Sequence, residues 1–206
     1  MGFHTFDPAM ADRLEDESRF RFCSREELLG GLGVGDSVDN DESDTDDVGG
    51  GNSVDDETTA HLVDLGSGTG FYTRELAPFF THISAVDIQS EMHDLFGEHG
   101  VPDTVDRIEC STDDLPLDDD SATAAVSTMT AHELPLATTL SELQRVLVDR
   151  APVVVVDWSN RGRGEAGPPL AERHDAETVV DAFLDAGFTV DAATERGETF
   201  SVRATR

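Results

Sequence analysis

Strands and helices alternate along the chain after His61, and this alternation limits the possible folds more than any other feature of the sequence. Strand-like segments rich in apolar and β-branched residues are predicted at 61–65, 83–88, 105–110, 122–128 and 152–158. Helix-like segments are predicted at 71–79, 89–99, 136–147 and 175–186. Because parallel neighbouring strands need crossover connections, which are usually helices, this order predicts an α/β fold with a parallel sheet covered on both faces. The valine run 153–156 is typical of a strand buried on both faces.

Two further strand-like segments, 188–193 and 199–204, follow one another without a helix between them. A connection as short as 194–198 joins antiparallel strands. The sequence therefore predicts a seven-stranded, mostly parallel sheet that ends in an antiparallel hairpin at its edge.

A glycine-rich turn, residues 66–70, connects the first predicted strand to the helix that follows it. Glycine lets a ligand approach the bare backbone at the amino end of a helix. A nicotinamide cofactor needs Gly-x-Gly-x-x-Gly, and Phe71 stands where that pattern has its third glycine. Asp64, just before the turn, would repel a phosphate and attract an ammonium group.

Asp87 ends the second predicted strand, at the same edge of the sheet as the turn. A carboxylate at this position can accept hydrogen bonds from both hydroxyls of a ribose. A ligand with a ribose, no phosphate and a cationic amino-acid end would satisfy both carboxylates. S-adenosylmethionine has all of these features.

In its motifs the chain resembles the class I S-adenosylmethionine-dependent methyltransferases, and among them the small-molecule group similar to the ubiquinone and menaquinone biosynthesis type. The matching segments are 64–70, 86–88 with Met92, 115–117, 132–134, 142–147, 156–158, 167–173 and 186–188. The resemblance implies a Rossmann-like three-layer sandwich, S-adenosylmethionine as the cofactor, and transfer of a methyl group to a small-molecule acceptor by in-line displacement. A non-catalytic or regulatory protein that binds the cofactor with the same fold is the alternative.

The resemblance also implies roles for single residues. The glycine-rich turn and Asp64 would bind the methionine part of the cofactor, Asp87 the ribose and Ile88 the adenine. Ser111 stands where the family commonly has an acidic residue near the adenine amino group, so a hydroxyl would make that hydrogen bond here. The predicted cofactor-binding residues are Asp64, Gly66, Ser67, Gly68, Gly70, Asp87, Ile88, Ser111, Thr112 and Thr128.

The acceptor side of the site is predicted at the carboxyl ends of the fourth and fifth strands, where open α/β sheets bind ligands. His132 is the candidate general base, needed only if the acceptor loses a proton, and a structural histidine is the alternative. Trp158, Arg173 and Phe6 are the candidate acceptor-pocket residues. For Trp158 the alternative is a packing role, and for Arg173 a surface ion pair.

The chain divides into three predicted parts. Residues 1–35 predict short amphipathic helices that form a cap over the carboxyl edge of the sheet, one of them opened by a capping box of Ser24 and Glu27 and ended by the glycines after Leu29. Segment 36–60 is predicted to be a flexible insertion, with ten acidic residues and no basic one between 36 and 59. The methyltransferase domain is predicted at 61–206.

The charge of the chain excludes several classes of function. It has 44 acidic residues against 14 basic ones, all arginine, and a net charge of −30. Without lysine it can form neither a Walker phosphate loop nor a pyridoxal Schiff base. So negative a surface predicts no nucleic-acid or membrane partner.

The same net charge favours a halophilic origin. An acidic protein repels itself, and molar salt screens that repulsion. Cys23 and Cys110 form no metal-binding motif, and no apolar run is long enough to span a membrane. We expect a cytoplasmic monomer or homodimer that holds no metal.

Overall fold

The computed structural model of the chain describes residues 6–34 and 60–206. The acidic insertion predicted at 36–60 therefore lies outside the described residues, except for Ala60. Residues 1–5 and 35 of the predicted cap lie outside them as well.

One sheet of seven strands forms the centre of the fold. The strands are β1 (His61–Leu65), β2 (His82–Asp87), β3 (Val105–Glu109), β4 (Ala124–Thr128), β5 (Pro152–Trp158), β6 (Thr189–Glu195) and β7 (Thr199–Thr205). Their order in the sheet is β3-β2-β1-β4-β5-β7-β6. The first five are parallel, and β7 runs antiparallel to both β5 and β6. The predicted α/β fold, with a mostly parallel sheet that ends in an antiparallel hairpin, is confirmed.

Helices cover both faces of this sheet. They are α1 (Arg25–Gly31), α2 (Phe71–Leu76), α3 (Ser90–His99), α4 (Leu136–Val146) and α5 (Ala176–Asp185). Apolar residues of α1, α2 and α3 share one core with one face of the sheet, and those of α4 and α5 share a second core with the other. In β5, Val153 and Val155 enter the second core and Val154 and Val156 the first. Since side chains alternate along a strand, an all-valine run fills both layers.

The cap differs in detail from the predicted amphipathic helices. Pro8–Glu15 and Glu17–Arg21 are 3₁₀ helices, and Ala11 is their single buried residue. Segments this short, with almost no buried face, lack the packing that stabilises an α-helix.

The helix that follows, α1, begins where the capping box predicts, since Ser24 Oγ accepts the Glu27 N–H at 3.2 Å. It then runs through Gly30 and Gly31, which were predicted to end it. A Cβ on Gly31 would lie 2.8 Å from a methyl carbon of Val154. The glycine thus lets α1 pack directly against β5.

The helix predicted at 71–79 is also shorter than expected. The α-helical part, α2, ends at Leu76, and Ala77–Phe79 continue as a 3₁₀ turn. Pro78 has no backbone N–H to extend the α-helical hydrogen bonds.

Candidate active site

The glycine-rich turn lies between the carboxyl end of β1 and the amino end of α2. Gly66, Gly68 and Gly70 have φ angles of +73°, +55° and +78°, which side chains rarely adopt. A Cβ on Gly66 would lie 2.2 Å from the Thr130 methyl carbon, and one on Gly70 would lie 2.4 Å from the ring of Phe96. The turn therefore needs glycine for both its backbone angles and its close packing.

Thr130, which sequence reasoning did not single out, contacts the turn from the neighbouring strand. Its hydroxyl donates to the carbonyl of Gly66 at 3.2 Å, or to that of Thr128 at 3.1 Å. Because β4 lies next to β1 in the sheet, the segment after β4 meets the segment after β1. This adjacency is the signal that could have identified it.

Asp64 is buried, and only one of its two carboxylate oxygens has a hydrogen-bond partner in the described part of the chain. Its Oδ2 accepts the Thr73 hydroxyl at 2.6 Å. Its Oδ1 is buried without a hydrogen-bond partner in the described part of the chain, as is the hydroxyl of Ser67 within the turn. Burial, with a smaller contribution from the charge of Asp87, raises the pKa of Asp64 to about 6. An ammonium group that bonded Oδ1 would relieve both the missing hydrogen bond and the unpaired charge.

Asp87 ends β2 next to the turn, as predicted. Its Oδ2 accepts the Gly68 N–H at 2.8 Å, and its Oδ1 accepts the Gln89 N–H at 2.9 Å. Burial raises the pKa of Asp87, and these two backbone donors partly offset that effect. The carboxylate is thereby held in a fixed orientation, and each oxygen keeps a second lone pair for a hydroxyl donor.

The other predicted cofactor-binding residues divide into two groups. Ile88 is 55% exposed, which is unusual for isoleucine, and Ser111 is partly exposed at the loop after β3. Thr112 and Thr128 are buried, and the Thr112 hydroxyl is bonded to that of Thr139 in α4 at 2.7 Å. The exposed pair is therefore placed to contact a ligand, whereas the Thr112 hydroxyl is used inside the fold.

His132 and Asp157 meet at the carboxyl ends of β4 and β5. The His132 ring Nδ1 lies 2.9 and 3.0 Å from the two carboxylate oxygens, and the His132 backbone N–H donates to Oδ2 at 2.6 Å. Burial opposes protonation of His132, but the hydrogen bond and charge of Asp157, with Glu133 nearby, outweigh it and raise the pKa of the imidazole. The sequence predicted His132 at this edge but not its contact with Asp157.

Trp158 and Arg173 have different surroundings. Trp158 is partly exposed, and its ring packs on the Phe22 ring of the cap with centroids 4.8 Å apart. The guanidinium of Arg173 is almost fully buried and donates to the carbonyls of Ser159, Ala166 and Pro168 and to Glu198. Arg173 thus holds the loop after β5 together, and its contact with an acceptor stays a prediction.

The cap lies over the glycine-rich turn. The Phe6 carbonyl accepts the side-chain amide of Gln89 at 3.0 Å. Glu15 accepts the hydroxyl of Thr69 and pairs with Arg74 of α2. The cap therefore reaches the predicted cofactor side through Glu15 and the backbone of Phe6, and the predicted acceptor side through Phe22. A contact of Phe6 with the acceptor stays a prediction.

Residues 6–34 and 60–206 contain neither a metal-binding cluster nor a membrane-spanning helix. No group of three or more His, Cys, Asp or Glu side chains there is placed to hold a metal ion. No helix in these ranges has the length and apolar character needed to cross a bilayer.

Comparisons with known proteins bear on the fold and the cofactor. Residues 63–155 match a family described as a methyltransferase domain. No curated protein matches the chain in sequence. Among solved structures, an S-adenosylmethionine-dependent methyltransferase from Aquifex aeolicus is 26% identical, with 98% of this chain and 99% of that chain covered and a TM-score of 0.77.

Two other solved structures share the fold at lower identity. The geranyl diphosphate C-methyltransferase of Streptomyces coelicolor, solved with Mg²⁺, geranyl diphosphate and S-adenosylhomocysteine, is 17% identical over 72% of each chain, with a TM-score of 0.60. A protein described as a methyltransferase, in complex with the Trm112 methyltransferase activator of Haloferax volcanii, is 17% identical over 98% of this chain and 99% of its own, with a TM-score of 0.69. The fold is that of the class I methyltransferases, and the comparisons support S-adenosylmethionine as the cofactor.

Proposed function

We propose that the chain transfers a methyl group from S-adenosylmethionine to a small-molecule acceptor in a salt-rich cytoplasm. One observation carries the proposal: Oδ1 of buried Asp64, just before the glycine-rich turn, has no hydrogen-bond partner among the described residues. A phosphate would be repelled there, and a cationic amino-acid group fits. The cofactor supplies the methyl group as an electrophile on a sulfonium centre.

Residues in and around the turn would each bind one part of the cofactor. Asp64 would accept a hydrogen bond from the ammonium group of the cofactor. The hydroxyl of Ser67, also buried without a partner in the described chain, would donate to the carboxylate of the cofactor. Asp87, held by the Gly68 and Gln89 N–H groups, would accept the ribose hydroxyls. The exposed side chain of Ile88 would lie against the adenine.

The chemistry needs mainly correct placement of the reacting atoms. In-line displacement requires the attacking atom, the methyl carbon and the sulfur to be collinear, and such positioning can lower a barrier by roughly 7–11 kcal/mol. Trp158 and Phe22 form an aromatic wall at the carboxyl end of β5, the edge of the sheet that also carries the His132–Asp157 pair and where an acceptor would lie. His132 is the candidate catalytic residue.

The surface charge supports a small acceptor over a nucleic acid. Ten of the 44 acidic residues lie in segment 36–59, so 34 remain against 14 arginines, a balance of −20 on the rest of the chain. Many of the arginines are paired with carboxylates in the described residues, among them Arg74, Arg145 and Arg196. Binding a phosphate backbone would need a surface of unpaired cations.

Calorimetric titration with S-adenosylmethionine and S-adenosylhomocysteine in molar KCl tests the cofactor. Asp87→Ala should weaken binding at least tenfold through the lost charge-assisted hydrogen bonds, whereas Asp106→Ala, an exposed aspartate on β3, should not change it. Unaltered binding by Asp87→Ala would refute the ribose contact. Methyl-labelled cofactor incubated with a small-molecule extract then separates an enzyme from a non-catalytic binding protein, since the second yields no labelled product.

A further inference from the structure

We propose that His132 and Asp157 act together as a general base, so that the acceptor is a small molecule whose attacking atom loses a proton, such as a hydroxyl or an activated carbon acid. The inference rests on the proposed function. It adds Asp157 as a positioning residue and narrows the chemical class of the acceptor.

The contacts of Asp157 determine how the histidine ring is held. The Asp157 side chain is completely buried, and its carboxylate accepts the backbone N–H groups of His132 and Trp158 at 2.6 and 2.7 Å. The remaining contact is with Nδ1 of His132, at 2.9–3.0 Å. Since a carboxylate only accepts hydrogen bonds, Nδ1 carries the hydrogen, and Nε2 is the basic nitrogen of the neutral ring.

The pair lies beside the proposed cofactor position. Thr130, two residues before His132, bonds the carbonyl of Gly66 in the glycine-rich turn. Trp158, next to Asp157, belongs to the aromatic wall. Strands β4 and β5 thus bring a base and an acceptor wall to the edge where β1 brings the turn.

The proposed step balances without any further reactant. The acceptor oxygen or carbon forms a bond to the methyl carbon while the bond from that carbon to sulfur breaks, and the electron pair of the broken bond stays on sulfur. The proton of the acceptor moves to Nε2 of His132 and is later lost to solvent. A thiolate that is already ionised at neutral pH has no proton to lose, so it would need no such base.

The charged groups around the ring set the pH at which it can act. Asp157, Glu133, Arg173 and His174 all lie close enough to influence it. Asp157 and Glu133 raise the pKa of His132, against burial and the charge of Arg173. Because the neutral ring is the base, methylation should rise with pH through a midpoint above the ordinary histidine value of about 6.5.

The tautomer can be measured without any acceptor. Nitrogen NMR of the ¹⁵N-histidine-labelled protein, with the His132 signals assigned from their loss in His132→Asn, should show the hydrogen on Nδ1. Asp157→Asn presents an amide N–H toward the ring, so it should move the hydrogen to Nε2 and lower the titration midpoint. Asp106→Asn is the matched control, because Asp106 bonds His82 at the opposite edge of the sheet. A hydrogen on Nε2 in the unaltered protein would overturn the assignment of Asp157, even if Asp157→Asn does not fold.

Product formation tests the acceptor class. Products from methyl-labelled S-adenosylmethionine and a small-molecule extract should carry the label on oxygen or carbon, and His132→Asn and Asp157→Asn should lower their formation about 10²- to 10⁴-fold at neutral pH. Cofactor binding should stay within about twofold in both variants. Label found only on sulfur, or product formation that is unchanged in His132→Asn, would overturn the inference and leave the proposed function standing. Absence of both cofactor binding and product would instead refute the proposed function.

Discussion

Replacing Asp64 with asparagine should make the protein more stable and its cofactor binding weaker. Asparagine has nearly the shape of aspartate, and its carbonyl oxygen can still accept the Thr73 hydroxyl. The change removes the negative charge of a residue that is only 1% exposed and whose Oδ1 has no hydrogen-bond partner in the described chain. The variant therefore lacks that charge, and the cost of burying its amide N–H₂ without a partner reduces the gain in stability.

The gain in stability follows from the raised pKa. Burial raises the pKa of Asp64 from 3.8 to about 6 in the folded protein. A carboxyl whose folded pKa lies above its unfolded value destabilises the fold fully above the folded pKa, progressively less between the two, and not at all below both. At pH 7 the penalty is about 3 kcal/mol, at 1.36 kcal/mol per pKa unit.

Asp64→Asn should thus raise the midpoint of thermal unfolding at pH 7 by roughly 6–12 °C, at 2–4 °C per kcal/mol for a chain of this size. The difference from the unaltered protein should shrink as the pH falls from about 6 towards 4. Unfolding measured across that range in molar KCl checks both statements. Asp106→Asn, an exposed matched change, should shift neither.

The loss in binding follows from the same charge. A hydrogen bond between ions contributes roughly 1.5–3 kcal/mol, so the variant should bind S-adenosylmethionine about 10- to 150-fold more weakly at pH 7. A variant that is no more stable at pH 7 would refute the buried-charge argument. A variant that binds the cofactor as tightly as the unaltered protein would refute the ammonium contact.

Three other predictions concern salt, the turn and the cap. Dilution from molar salt should lower the unfolding midpoint, because the charge of −30 is then less screened; a midpoint independent of salt would contradict the halophilic interpretation. Gly66→Ala should lower the unfolding free energy in denaturant titrations by about 2–4 kcal/mol, because the new Cβ would meet Thr130. Gly33→Ala, at a similar φ but with open space around it, should lower it by about 1–2 kcal/mol. Equal losses would count against the close packing at Gly66. Phe22→Ala should slow acceptor methylation with little change in cofactor affinity, and Glu15→Gln should weaken cofactor binding about 2- to 10-fold, from its lost bonds to the turn and α2. These point changes separate the two sides of the cap better than deletion of residues 1–30, which would also remove Leu28 and Leu29 from the core. If Phe22→Ala weakened cofactor binding and Glu15→Gln instead slowed methylation, the assignment of Phe22 to the acceptor side and Glu15 to the cofactor side would be refuted.

The fold and the positions of Asp64 and Asp87 beside the glycine-rich turn were predictable because their signals are local in the sequence. The alternation of strands and helices determines the parallel sheet, and the short connection before Thr199 determines the hairpin. Asp64 and Asp87 are each the polar residue at or near the end of an apolar strand, next to glycines whose spacing is visible directly. Such patterns depend on neighbours within about ten residues.

The contacts that complete the site join residues far apart in the chain. Glu15 bonds Thr69, Thr130 bonds Gly66, and His132 bonds Asp157. The burial of Arg173 depends likewise on the loop that folds around it. No periodicity marks these pairs, because the sheet brings them together only after its strands have assembled in an order that differs from their order in the sequence.

The contacts of α1 also affect the order in which the protein can fold during synthesis. Gly31 packs on Val154 of β5, and Arg196, between β6 and β7, bonds both Glu27 and the carbonyl of Phe22. The cap is translated before the sheet, yet the contacts of Arg196 can form only after the last hairpin has left the ribosome. The contacts of Glu15 with Thr69 and Arg74 need only the segment up to α2, so the two sides of the cap can dock at different stages of synthesis.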